Sequence, residues 1–292
     1  MSTSEEKRMF KKIGDMIKWI GDHFKGMLFL LILFIVFMPS SPKQLIHANM
    51  QEIELSGPIM DANSIVKKIE EAQKDPEIKG VLLNVNSPGG AVPPSIEIAY
   101  AVKELKKHKP VIAYASGIMA SGSYYSSIYA NKIIANPGSI VGSIGVIMES
   151  ANIKELMDKI GVKTQIVKQG TFKEAGTPTR EWTPQERAEL EKLTKDTYEL
   201  FVSDVAKARG LDINKSKVYA DAHIFSSKRA KEVGLIDEIG VKSQAKAQLA
   251  KLAKVKKPVW KEKDKLDAFM EKLLTQSIVK VQSYFYNLKA SL

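Results

Sequence analysis

The sequence predicts an α/β fold with a mostly parallel sheet, and three observations carry that prediction. Strand-like and helix-like segments alternate from about Asn49 to Gly240. Two strand candidates, GVLLNV (Gly80 to Val85) and PVIAYA (Pro110 to Ala115), are short apolar runs suited to burial. Between them apolar residues recur at helical spacing, at Ile96, Ala99, Tyr100, Val102 and Leu105. Alternation of this kind argues for strand–helix–strand units rather than a sandwich.

Each element follows in order. Glu52 to Leu55 is the first predicted strand, and Ser64 to Lys74 an amphipathic helix entered through Asp61-Ala62-Asn63. The strand Gly80 to Val85 ends in Asn86-Ser87-Pro88-Gly89-Gly90, and a helix over Pro94 to Lys107 follows it. After the Pro110 to Ala115 strand come a small-residue helix beyond Ser121, a strand at Lys132 to Ala135 and a glycine-punctuated stretch, Gly138 to Val146. Lys163 to Val167 is predicted as a further strand. Thr183-Pro184-Gln185-Glu186 opens a long helix with an N-cap, a proline at the first helical position and a capping-box glutamate. That helix runs to Ala208 and stops at Gly210. Near the C-terminus Leu266, Phe269, Met270, Leu273, Leu274, Ile278 and Val281 form a helical apolar stripe, read as a docking face.

Composition narrows the function classes. The 292 residues contain no cysteine, which excludes disulfides, thiolate zinc sites and a cysteine nucleophile. The net charge of +11 is unevenly placed: Lys242 to Leu292 holds twelve lysines and four acids, leaving +3 for everything before it. A basic tail on a near-neutral body points to lipid headgroups, an acidic partner or a solvated surface. No nucleic-acid module with interleaved aromatics is visible in it, and no nucleic-acid partner is expected.

One apolar run stands out, MLFLLILFIVFM at Met27 to Met38. With Phe24-Lys25-Gly26 before it and a snorkelling Lys25, it reaches the length of a thin-bilayer span. A signal-peptide core also fits that length, but Ile46-His47-Ala48 is a poor cleavage site, so a retained anchor is expected. Lys7, Arg8, Lys11, Lys12, Lys18 and Lys25 precede the run and only Lys43 closely follows, which keeps the N-terminus in the cytoplasm. The expected organisation is a basic N-terminus over 1–25, an anchor over 26–42, a catalytic domain over 45–245 and a basic tail over 246–292.

The chemistry-bearing residues lie at strand ends. Ser121, in Met119-Ala-Ser-Gly-Ser-Tyr-Tyr, sits at a helix start among small neighbours, where unpaired N–H groups favour developing negative charge. The Ser87-Pro88-Gly89-Gly90 turn exposes amides, so the N–H groups of Gly90 and Gly122 form a candidate oxyanion hole. These two elements resemble the crotonase-like fold of Clp-type peptidases and, more closely, the short form of signal peptide peptidase A in the Ser-Lys family that includes protease IV. The matching stretches are VLLNVNSPGG, MASGSYYSSIYANKIIANPGSIVGSIGVI, QGTFKEAGTPTRE and SSKRAKEVGLIDEIG, spread over about residues 50 to 265.

The resemblance implies a crotonase/Clp-protease-like fold, Ser121 as nucleophile, Lys173 as general base and Ser143 as the residue that orients that lysine. It also implies a ring-shaped homo-oligomer with serine and lysine from neighbouring subunits. The implied substrates are hydrophobic peptides such as signal-peptide remnants, met at the outer (periplasmic) face of a bacterial cytoplasmic membrane. A lysine ordinarily titrates near 10.4, so it acts as a base at neutral pH only where burial lowers that value; Lys168 is a rival candidate. The chain departs from the family at Met119, at Ser123 where a second glycine is usual, and at Asp221-Ala222-His223, expected to be a distal turn remote from the chemistry. His23, His47, His108 and His223 occupy no context resembling a catalytic triad. No metal or nucleotide motif is present, so no cofactor is expected. Two further readings keep the fold: an acyl-CoA enzyme of the crotonase type and a non-catalytic membrane scaffold.

Overall fold

The computed structural model describes residues 47–262, together with 18–31, Lys12, Asp15 and Leu33. The chain divides into two units, Met1–Ile46 and His47–Leu292. In the first, residues 18–31 are helical. Most of the expected anchor over 26–42 lies outside the described residues, as do the stripe from Leu266 to Val281 and most of the basic tail. Among the described residues no helix is long and apolar enough to cross a membrane.

The second unit alternates as the apolar spacing predicts: β1 (Met50–Ser56), α1 (Asn63–Lys74), β2 (Gly80–Ser87), α2 (Val92–His108), β3 (Val111–Ala120), α3 (Gly122–Ser127) and β4 (Lys132–Ala135). Then follow β5 (Ile140–Gly142), α4 (Lys154–Lys159), α5 (Pro184–Arg209), a 3-10 turn (Ile213–Lys215) and α6 (Ser216–Tyr219). The described chain ends through β6 (Ile224–Ser226), α7 (Ser227–Glu232), β7 (Glu238–Ile239) and α8 (Lys242–Leu252). The sheet order is β1-β2-β3-β4-β7, every pair parallel. β3 is long enough to serve two neighbours: residues 112–115 pair with β4 and residues 118–120 with β5. β6 joins β5 antiparallel, so the sheet is mixed.

Both faces of the sheet are covered, which is why its strands read as continuous apolar runs. One face buries Ile53, Leu83, Val85 and Ala113 against side chains of α1, α2, α3 and α5, including Ile69, Ile98, Tyr124 and Val205. The other buries Met50, Leu82, Ile112 and Ile134 against Ala245, Leu249 and Ala250 of α8. α8 is further held at β1, where Glu52 takes ion pairs from Lys242 and Lys246. The expected boundary at 245/246 therefore falls inside a helix that closes the core.

One predicted strand does not form. Lys163 to Val167 has neither strand nor helix hydrogen bonding, and Val167 is 99% exposed. Its β-branched residues pair with no strand among the described residues. The long helix does form, as its caps predict. Thr183 accepts from the Glu186 N–H while Glu186 accepts from the Thr183 N–H, and Gly210 closes the other end at φ +65°.

Arg180 reinforces that start, donating to both carboxylate oxygens of Glu186 at 2.9 and 2.7 Å. The Arg180 guanidinium, aided by the Thr183 N–H, holds the Glu186 carboxyl down at about 2 from an ordinary 4.5. A depressed carboxylate contributes stability that is complete above its ordinary value and is lost as pH falls toward the folded one. The urea midpoint of the parent protein is therefore expected to fall more steeply between pH 4.5 and 2 than that of Glu186→Gln, which keeps the capping box but not the charge. Glu52, Glu174 and Glu238 shift in the same direction and leave a residual slope in both proteins. Parallel acid limbs would refute the role given to this pair.

Candidate active site

Three loops meet at the carboxyl ends of β2, β3 and β5. Ser121 joins β3 to α3 with φ 53° and ψ −125°, a left-handed conformation that side chains resist. Its N–H donates to the Gly142 carbonyl at 2.8 Å, which extends the β3–β5 ladder by one bond. Because Ala120 pairs with Gly142, Ser121 and Ser143 are the next residues on adjacent strands. Ser143 also has φ 53° and is half-buried.

The turn after β2 lies against the start of α3. A Cβ added at Gly122 would stand 3.3 Å from the Gly90 nitrogen and 2.2 Å from Ser95 Oγ, so no side chain fits there. Gly90 is equally constrained, since its Cβ would meet the Ile59 carbonyl oxygen at 2.2 Å. Ile59 donates to the Gly89 carbonyl and accepts from the Ala91 N–H, a short parallel bridge that fixes the turn from outside. The side of the turn that faces Ile59 is thus paired within the chain. The bridge leaves the Gly90 N–H without an acceptor among the described residues. The Gly122 N–H, first in its helix, has none either. Two unpaired donors beside a hydroxyl are what stabilisation of an oxyanion requires.

Ser121 and Ser123 separate cleanly. Ser123 is fully buried, its hydroxyl donating to the Ser87 carbonyl at 2.7 Å and accepting from the Ala120 N–H at 2.9 Å. It ties β2 to the β3–α3 junction. Ser121 is half-buried and its hydroxyl is uncommitted among the described residues. It borders a small, mostly apolar cavity with Gly90, Gly122, Val92, Ile96, Tyr125 and Phe201.

The turn at Asp221-Ala222-His223 belongs to this site, contrary to the sequence expectation. Its His223 carbonyl accepts from the Ser143 N–H at 2.7 Å, and the Ala222 N–H donates to Ile144. Asp221 and Ala222 both carry positive φ (59° and 56°), so a non-glycine turn is held in the conformation that glycine usually supplies.

Lys173 lies elsewhere. It sits exposed in the turn over residues 171–176 and is not among the residues bordering the cavity. A chain of charges holds this segment: Lys168 pairs with Glu174, Glu174 with Arg180 at 3.3 Å, and Arg180 with Glu186. Lys168 is thereby engaged in an ion pair. The Lys173 ammonium has no partner among the described residues. Sequence reasoning missed Ile59, Ser95, Tyr125 and Phe201, which shape the site only because the fold brings four distant segments together.

The geometry sets opposite expectations for the two serines. Ser121→Gly is expected to raise the unfolding free energy by roughly 1 kcal/mol, by relieving the left-handed strain. Ser123→Ala is expected to lower it by about 1–3 kcal/mol, since buried backbone groups lose their partner. Chemical denaturation of the two variants checks both signs; equal losses would mean that the Ser121 backbone is not strained.

Comparisons with known proteins agree with this geometry. Residues 103–256 match the sequence profile of the peptidase family S49. A Methanocaldococcus jannaschii protein named "putative protease" is 43% identical over 198 residues, covering 68% of this chain and 64% of its own length. A Synechocystis protein of the same description is 38% identical over 204 residues, covering 69% and 73%. The chloroplastic serine protease SPPA of Arabidopsis thaliana is 32% identical over 190 residues, which cover 65% of this chain and 28% of that protein. The chain thus spans less than two thirds of the length of some relatives. The profile match covers more than half of the chain, including the Ser121 and Ser143 turns, and this chain belongs to peptidase family S49.

Proposed function

We propose that this protein is a membrane-anchored serine endopeptidase in which Ser121 is the nucleophile and Lys173 of a neighbouring copy is the general base. One observation carries the reading: an uncommitted hydroxyl is held in a strained turn between two unpaired N–H groups, at the mouth of an apolar cavity. The mixed, mainly parallel sheet with its strand-end rim supports a crotonase/Clp-protease-like fold. In the proposed reaction Ser121 Oγ attacks the scissile carbonyl carbon while its proton passes to the neutral lysine amine. The N–H groups of Gly90 and Gly122 hold the oxyanion. The C–N bond then breaks, the lysine returns the proton to the leaving amine, and water releases the acyl group by the same steps.

The placement of Lys173 supports a dyad shared between copies. Its segment carries exposed apolar side chains, Ile147, Ile160, Val167 and Phe172 among them, unlike a finished surface. Docked on a second copy, that segment would lose water around the lysine, the condition for a neutral amine at ordinary pH. Ser143, next to Ser121 on the adjacent strand, is placed to orient an incoming amine. The apolar cavity fits hydrophobic peptides, signal-peptide remnants among them. The run Met27 to Met38 and the lysines before it support an anchor over 26–42, with the peptidase domain outside the cytoplasmic membrane.

Full-length protein in mild detergent is the material for the test. Ser121→Ala and Lys173→Ala are each expected to lower peptide cleavage by ~10³-fold or more. Mixing the two inactive proteins and allowing subunit exchange is expected to restore activity, because some sites then join an intact serine to an intact lysine. No recovery would place the base within the same chain, and full activity in Lys173→Ala would move it to another residue. A parent protein that neither cleaves peptides nor reacts with an alkylphosphonate at Ser121 would be a scaffold without turnover.

A further inference from the structure

The wall of the cavity beside Ser121 is built from helices far apart in sequence. α2 contributes Val92 and Ile96, α3 contributes Tyr125, and α5 contributes Leu200 and Phe201. α3 and α5 meet beside the cavity. There the Phe201 ring packs on the Tyr125 ring with centroids 4.8 Å apart. One helical turn on, the Tyr125 hydroxyl donates a short hydrogen bond to Asp204 Oδ2. Both partners are buried, Tyr125 at 4% exposure and Asp204 at 8%.

This bond ties a cavity-lining residue of α3 directly to α5. Other polar anchors of α5 are Arg180 with Glu186 at its start, the Tyr198 hydroxyl, which accepts from the Asp221 N–H, and Arg209 with Asp237 at its finish. Among the described residues Asp204 has no second hydrogen-bond partner. A buried carboxylate with one donor fixes the distance between the two helices, since any separation leaves it unpaired. Tyr125 therefore serves two ends at once: its ring lines the cavity, and its hydroxyl holds the opposing wall.

The cavity is about 30 Å³, the scale of a small side chain. We propose that the Tyr125–Asp204 hydrogen bond sets the width of this cavity and thereby selects small apolar side chains at the residue whose carbonyl is attacked. Tyr125 is a specificity-determining residue and Asp204 a positioning residue that acts through it. This inference rests on the peptidase reading and adds the side-chain class it accepts.

The test uses full-length protein and two peptides that differ only in the residue before the scissile bond, alanine or phenylalanine. The parent is expected to prefer alanine in kcat/KM. Tyr125→Phe keeps the ring and removes the donor; it is expected to shift the phenylalanine-to-alanine ratio upward by about tenfold, the scale at which pocket size discriminates. Asp204→Ala is expected to shift the ratio the same way, whereas Asp204→Asn, which keeps an acceptor, stays close to the parent. A purely structural role would lower the melting temperature of these variants and leave the ratio unmoved. Should Tyr125→Phe fail to fold, the two Asp204 variants carry the same comparison. An unchanged ratio in a parent-like active enzyme, or a parent that prefers phenylalanine, overturns this inference alone. A parent that neither cleaves nor is labelled at Ser121 overturns the peptidase reading and this inference with it.

Discussion

The register at the carboxyl ends of β2, β3 and β5 is the constraint on which the site depends. Ser87 pairs with Met119 after an irregularity in the β2–β3 ladder, and Ala120 pairs with Gly142. These pairings place the Gly90 turn, the Ser121 turn and the Ser143 turn on one rim. A slip of one residue would turn every inward side chain outward and separate the three. Rims of this kind are where parallel α/β sheets usually present their ligand sites. Here the buried hydroxyl of Ser123 locks two of the three strands together from below.

Rigidity is unevenly distributed along the chain. Around Ser121 the backbone is fixed by buried strands, by the Ile59 bridge and by the His223 carbonyl, and these supports outweigh the strain of left-handed residues at 121, 143, 221 and 222. Residues 147–173 are supported differently, by local turns and a surface charge network, with apolar side chains facing outward. The candidate nucleophile thus lies in a well-packed part of the described chain and the candidate base in an exposed one. An enzyme arranged in this way would be active only where a second surface covers the base. That arrangement would confine proteolysis to assembled protein.

Much of the site is local, and the local parts were legible. Thr183, Pro184, Glu186 and Gly210 announce a helix by capping chemistry that acts within one turn. The serine and glycines at 89, 90, 121 and 122 announce tight junctions for the same reason. The false strand at Lys163 to Val167 marks the limit of this logic. Its residues favour extended backbone, but a strand also needs a partner, and this segment pairs with none among the described residues. The Asp221-Ala222-His223 turn was misread because its importance comes from a hydrogen bond to Ser143, eighty residues earlier.

By itself the sequence determined the alternating architecture, the strand-end serine and its flanking glycines, because period, turn chemistry and caps are short-range properties. It also carried the family likeness, which named Lys173 and Ser143 without giving their geometry. Only the tertiary structure decided that Ser123 is a buried tie and Ser121 the uncommitted hydroxyl. It alone engaged Lys168 with Glu174, left Lys173 outside the cavity, and brought Tyr125 to Asp204 across 79 residues. Those outcomes depend on which surfaces meet when the helices pack on the sheet, and no spacing along the chain records that.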